Sequence, residues 1–191
     1  MKLIVGLGNA GAPYQGTRHN AGWGTVWRLA QRHGVSPSAS RTAHRRRVAE
    51  YGDWCTGRET VRLVWPLTLM NASGEAVAAW GVEPQDVLLV CDDANLPLGA
   101  VRLRAGGSDG GHHGLASCLA ALGTEDVPRL RLGVGREALP RDLTEFVLST
   151  FDAGERPLIA DAMTRAAEAC EAWVERGIEV AMNQVNLRQK P

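Results

Sequence analysis

Six short apolar or β-branched runs, at about 2–6, 47–52, 60–65, 86–91, 100–104 and 129–134, alternate with segments of helical period at about 21–33, 72–81, 114–122 and 155–186. Each run is bounded by Gly, Pro or polar residues, the signature of a strand. Strands interleaved with helices predict an α/β fold: a single-domain sandwich with a mixed central β-sheet flanked by helices. Gly34 closes the first helix and Gly177 breaks the last. Along that last helix Leu158, Ile159, Ala162, Met163, Ala166, Cys170 and Trp173 recur at helical spacing and read as core packing. The stretch "GVSPSAS" at 34–40 reads as an exposed loop. No internal repeat and no long linker divides the chain, so residues 1–191 are expected to form one domain. With 45% hydrophobic and 22% charged residues, a chain of this length can bury a sizeable core.

The opening run "KLIVG" leads into Gly6, Gly8 and Gly11, the spacing of a dinucleotide-binding loop. That loop needs an acidic residue about 20 positions on, for the ribose. No Asp or Glu precedes Glu50, and Pro13 and Tyr14 stand where the helix should open. The dinucleotide reading fails, and a strand entering a close-packed glycine turn is what survives.

No apolar stretch approaches the 18 or more residues of a membrane span, and no charged-then-apolar signal opens the chain, so a cytoplasmic protein is expected. Cys55, Cys91, Cys118 and Cys170 are far apart and form no C-x-x-C pair; they read as small buried hydrophobes. Formal net charge is zero, but residues 1–49 hold Lys2, Arg18, Arg28, Arg32, Arg41, Arg45, Arg46 and Arg47 and no acid. Such a one-signed segment is what a phosphate-facing surface would show, and a solvated edge is the alternative. Arg102, Arg104, Arg129 and Arg131 alternate along two predicted strands, where each pair shares a face and neighbouring strands can gather the guanidinium groups.

Unusual polar residues gather in the turns after strands. Asn9, Tyr14, His19 and Asn20 follow the first, Asn71 follows the 60–65 run, Asp92 and Asp93 follow the 86–91 run, and "AGGSDGGHHGL" brings His112 and His113 to a helix start. Loops of this kind converge at one edge of an α/β sheet, where ligands bind. "DDANLP" lacks the glycine and distal glutamate of a calcium loop. A metal site built on the histidines and Asp92 stays open on residue types alone. Neither a G-x-S-x-G elbow nor a G-x-x-x-x-G-K-[ST] loop occurs. What remains is a histidine and a carboxylate able to activate water, with Asn9 and Asn71 or backbone N–H groups to hold an oxyanion.

The blocks "KLIVGLGNAGAPYQGTRHNAGW", "PLTLMNASGEAV", "LLVCDDANLPLG", "RLRAGGSDGGHHGL", "RLRLGVG" and "FVLSTF" resemble, in order and with matching gaps, the bacterial-type peptidyl-tRNA hydrolase family. The resemblance implies a monomeric, metal-free α/β enzyme without cofactor that cleaves the ester between a peptide and the 3′ ribose of tRNA. It places His19 on the general base, Asp92 on its partner carboxylate, and Asn9 and Asn71 on asparagines that hold the peptide and the reacting carbonyl. Tyr14 falls on an aromatic beside the terminal adenosine, His112 on a wall histidine that contacts substrate, and Arg104 and Arg131 on a phosphate clamp.

Three departures stand out. Ala10 replaces the family's usual proline, the usual "HDE" becomes "CDD" with Cys91, and the site asparagine after His112 is His113. An amide offers a donor and an acceptor together, whereas imidazole presents its two nitrogens in another geometry, so His113 is expected to alter substrate positioning or pH dependence. A catalytically silent RNA-binding relative is the alternative reading.

Overall fold

The structure, a computed structural model, describes residues 1–37, 39–43, 46–136 and 140–187; Arg45 of the basic segment lies outside them. The strands are β1 (Lys2–Gly6), β2 (Ala39–Ala43), β3 (Arg46–Cys55), β4 (Thr60–Pro66), β5 (Val87–Pro97), β6 (Val101–Arg104) and β7 (Arg129–Gly135). The α-helices are α1 (Ala21–Arg32), α2 (Ser73–Ala78), α3 (His113–Leu122), α4 (Leu143–Leu148) and α5 (Arg156–Leu187). The strands form one sheet in the order β2-β3-β4-β1-β5-β7-β6. Its centre, β4-β1-β5-β7, is parallel, and the pairs β2·β3, β3·β4 and β6·β7 are antiparallel, so the sheet is mixed as expected.

Both faces of the sheet are covered, which is why the central strands read as continuous apolar runs. Alternate residues of β1 go to opposite sides. Ile4 joins Leu63, Leu88 and Leu132 under α1 and α5, where Leu29 and Trp173 meet them. Leu3 and Val5 join Leu89 under α2 and α3, against Val77, Leu115 and Cys118. Each such aliphatic side chain, fully buried, contributes roughly 1.5–3 kcal/mol of transfer free energy.

The glycines of the opening block serve this packing. A Cβ on Gly22 would lie 2.1 Å from the carbonyl oxygen of Val90, and one on Gly6 would lie 2.7 Å from that of Gly22. Helix α1 therefore crosses the sheet at a distance that only glycine permits, directly over the β1–β5 junction. From this junction the chain order runs outward in opposite directions, β1 being followed by strands on the β4 side and β5 by strands on the β7 side. A crevice opens at the carboxyl ends of strands at such a reversal.

The structure corrects several expectations. Residues 39–43, partly assigned to a loop, form the edge strand β2; its mostly exposed "ASRTA" carries no apolar alternation to announce it. Asp92 and Asp93 lie within β5, which runs on to Pro97, and not in a turn after it. Helix α4 was missed because it has only six residues, although Asp142 caps it by accepting from the Glu145 N–H at 2.9 Å. Leu158 is 53% exposed, outside the core stripe, while Ile159, Ala162, Ala166, Cys170 and Trp173 are buried. Cys55, at the end of β3, is exposed; the other three cysteines are buried. Gly177 does break α5, with φ of 77°. Among the described residues, no helix is long and apolar enough to cross a membrane.

Candidate active site

A cleft of about 430 Å³ lies over the carboxyl ends of β1 and β5, lined by Asn9, His19, Asn71, Asp92, His112, His113 and Arg131 among others. His19 sits in a single 3-10 turn, Arg18–Asn20, just before α1. Its Nδ1 is 2.9 Å from Oδ1 and 3.1 Å from Oδ2 of Asp92. An ionised carboxylate only accepts, so Nδ1 carries the proton. Nε2 is then the unprotonated atom, with no hydrogen-bond partner among the described residues.

Asp92 holds a second histidine. Nε2 of His112 is 3.0 Å from Asp92 Oδ1, while Nδ1 of His112 accepts from the N–H groups of Gly114 and Leu115, both at 3.1 Å. His112 is the N-cap of α3, a place normally taken by Ser, Thr, Asp or Asn. Capping fixes its tautomer: with Nδ1 accepting, the proton is on Nε2 and points at Asp92. Both nitrogens are thus engaged by the protein, leaving only the ring to face a substrate. Burial by itself would raise the Asp92 carboxyl, but His112 and then His19 outweigh it and hold the group well below the usual carboxylate range. Asp92 is consequently an anion with only 3% exposure.

The amide of Asn9 is oriented by what it holds. Its Oδ1 accepts from the Met70 N–H at 2.7 Å, and its main chain is pinned by Asn20, whose Oδ1 and Nδ2 bond Asn9 N and O at 2.9 and 3.0 Å. Nδ2 of Asn9 is left as a donor without a partner among the described residues, at the cleft. Asn71, in the 3-10 turn Met70–Ala72, is exposed at the same cleft. His113, the first residue of α3, is exposed at the rim.

The remaining expected residues fare differently. Tyr14 is half-buried in the turn Ala12–Tyr14 and does not line the cleft. The β6·β7 register sets Arg102 opposite Arg131 and Arg104 opposite Arg129, so all four share a face as the alternation predicted. They are not equivalent. Arg129 is buried and donates to the carbonyls of Gly107, Ser108, Glu125 and Val127, which fastens the glycine-rich loop ahead of α3. Arg131 pairs with Asp93 at 2.6 Å, and Arg104 is exposed outside the cleft lining.

The one-signed amino-terminal segment is also not a single basic face. Lys2 pairs with Asp86, Arg18 with Glu155, Arg32 with Glu171, Arg46 with Glu75 and Arg47 with Glu50. For these five residues, charge segregated along the chain is neutralised in space, because folding brings acids from later segments against it.

Sequence reading missed the apolar wall formed by Leu143, Thr144, Val147 and Leu148 of α4. The pair Asp142 and Glu145, three apart ahead of an apolar run, was the signal available for it. The donors of His19, Asp92 and His112 lie within 4.8 Å of one another, close enough to suggest a metal. They do not suit one: His112 Nε2 must keep its proton while Nδ1 caps α3, so two ligands remain where a catalytic zinc site takes three.

Comparison with known proteins identifies the family. The family model described as peptidyl-tRNA hydrolase matches residues 3–191. This chain belongs to the peptidyl-tRNA hydrolase family. It is 43% identical over 190 residues to the peptidyl-tRNA hydrolase of Syntrophomonas wolfei, covering 97% of this chain and 100% of that one. The relative from Symbiobacterium thermophilum is 44% identical, covering 97% and 98% of the two chains. The crystal structure of peptidyl-tRNA hydrolase from Acinetobacter baumannii superposes with a TM-score of 0.87 at 32% identity, over 97% of this chain and 94% of that one. Within this peptidyl-tRNA hydrolase fold, Cys91 faces the α2/α3 core, fully buried, and burial pushes its thiol well up. That departure lies behind the site, whereas His113 lies on it.

Proposed function

We propose that this chain hydrolyses the ester joining a peptide, or an N-blocked aminoacyl group, to the 3′ ribose of tRNA, with His19 as general base. The observation that carries this reading is the His19–Asp92 pair, with Nε2 unpartnered among the described residues at a cleft where Nδ2 of Asn9 is likewise unpartnered among them. Nε2 takes a proton from water as its oxygen attacks the ester carbonyl carbon. Asp92 stabilises the imidazolium that forms and holds its orientation. Nδ2 of Asn9 and the amide of Asn71 donate to the oxyanion. Collapse of the tetrahedral intermediate breaks the bond to the ribose oxygen, which takes the proton back from Nε2. An aminoacyl ester is already activated, so a positioned water and oxyanion donors suffice without a cofactor.

In this reading His112 acts through Asp92, and His113 adjusts how substrate sits at the rim. Arg104 and Arg131 meet a tRNA phosphate, Tyr14 lies near the terminal adenosine, and the enzyme works as a cytoplasmic monomer. The test is release of N-acetyl-aminoacyl groups from tRNA by purified protein, with and without EDTA, beside His19→Ala. Release that resists EDTA and falls by about 10²–10⁴ in the variant is expected. Binding of tRNA without release would instead make the chain a silent RNA-binding relative.

A further inference from the structure

Arg18 immediately precedes the proposed base, and its side chain has no exposed surface. Its guanidinium lies 4.5 Å from the ring centroid of Phe146, on α4, and 4.7 Å from that of Phe151. Nη2 pairs with Glu155 at 2.5 Å, Nη1 donates to the Val134 carbonyl at 3.3 Å, and Nε donates to Ser149 Oγ at 3.3 Å. The main chain adds an Arg18 N–H bond to the Ser149 carbonyl at 2.9 Å and a bridge between Thr17 and Thr150. The turn that carries His19 is thereby stitched to the end of β7, to the segment after α4 and to the residue just ahead of α5.

A buried cation is a costly filler, since losing its hydration is only partly offset by an ion pair, and an apolar side chain would occupy the same volume more cheaply. What arginine adds is a flat, rigid fork whose donors and faces fix several segments at set angles. Phe146 occupies one side of α4. The residues of another side, Leu143, Thr144, Val147 and Leu148, line the cleft. One guanidinium therefore touches the helix that forms the apolar wall and belongs to the turn that presents the base.

We propose that Arg18 is a positioning residue that couples the α4 wall to His19, so that a peptide chain seated on that wall steadies the base. The inference rests on the hydrolase reading. Its consequence is a turnover number that rises with the length of an apolar peptide, because more of the wall is then occupied.

The experiment compares wild type, Arg18→Lys and Phe146→Leu, each checked for folding by circular dichroism. The substrates are tRNA carrying an N-acetyl-aminoacyl group and tRNA carrying an apolar tetrapeptide. In the wild type, kcat is expected to be higher for the tetrapeptide. Arg18→Lys keeps a cation toward Glu155 but loses the fork and the stacking; a misplaced base should lower kcat on the order of 10- to 100-fold with KM nearly unchanged. Both variants should bring the kcat ratio of the two substrates toward unity. Phe146→Leu decides the matter should Arg18→Lys fail to fold, because it replaces neither a charged residue nor a residue of the His19 turn. A folded variant with the wild-type kcat ratio overturns the proposal, as does an effect confined to KM. A wild type inactive on both substrates overturns the hydrolase reading and this proposal with it.

Discussion

Replacing Asp92 by Asn tests the site at its most connected atom. Oδ1 accepts from His112 Nε2 at 3.0 Å and from His19 Nδ1 at 2.9 Å, while Oδ2 lies 3.1 Å from His19 Nδ1. An asparagine has one acceptor oxygen. With the oxygen at the Oδ1 position, its NH₂ stands 3.1 Å from the His19 N–H, donor against donor; with the amide reversed, NH₂ faces both rings. His112 cannot adapt, because its tautomer is fixed by capping α3. His19 can, by moving its proton to Nε2, and it then presents a donor where the proposed mechanism needs a base. The charge that stabilises imidazolium is lost as well. A tautomer reversal of this kind in a histidine–carboxylate pair costs roughly 10⁴ in kcat in a serine protease. Here about 10²–10⁴ is expected, since the shared oxygen still accepts from one ring, with KM nearly unchanged. The assay is steady-state release of N-acetyl-aminoacyl groups from tRNA. A kcat within threefold of wild type would refute both the assigned tautomer and the role of Asp92.

Asn9→Asp keeps the oxygen that accepts from Met70 but sets an anion where the proposed mechanism forms the oxyanion; hydrolysis should fall by about 10²–10³ with melting temperature nearly unchanged, and an active variant excludes Asn9 as a donor. Arg104→Gln should lower the slope of log binding constant against log salt by about one, whereas Arg129→Gln should leave it unchanged, because the Arg129 donors are spent on carbonyls. Equal slope changes in the two variants would contradict that division. Arg136, against burial and with help from Arg18, holds the Glu155 carboxyl down at about 2, below its ordinary 4.5. A depressed folded-state value means stability that is complete above about 4.5 and is lost as pH falls toward 2, so Glu155→Gln should flatten the melting-temperature profile across that interval.

The fold was legible where burial writes a period into the sequence. Four of the six predicted strand runs lie within a residue of their observed limits, because both faces of the sheet are covered and the apolar run stops where the cover stops, while the run at 47–52 stops three residues short of Cys55. The run at 86–91 falls shorter still, since the strand continues to Pro97 as "DDANLP", where it is built from site residues and apolar content no longer marks it. Strand β2 left no trace for the complementary reason: at the sheet edge its side chains face water, and Ser, Arg and Thr serve as well there as in a loop.

The site divides along a different line. His19, Asp92, Asn9 and Asn71 could be named from residue type and local context, and the cleft gathers all four. What each one holds could not be read, because hydrogen bonds such as Asn9 to Met70 and Arg18 to Glu155 join positions far apart in sequence. Arg18 shows the consequence most plainly. Counted along the chain it is one of a run of cations suited to a polyanion, yet in space it is the most buried of them, between two phenylalanines and a glutamate that all come from the carboxyl-terminal part of the chain. A net charge of zero with cations crowded at one end therefore has two solutions, a basic surface or internal pairing across the fold. Only the register and packing of later segments decide between them, and for the pairs around Arg18, Arg32 and Arg46 they decide for pairing. Any tRNA-facing field must then come chiefly from cations that this pairing leaves over. Among the described residues of the face that adjoins the cleft those are Arg102 and Arg104, exposed on β6 at one edge of the sheet.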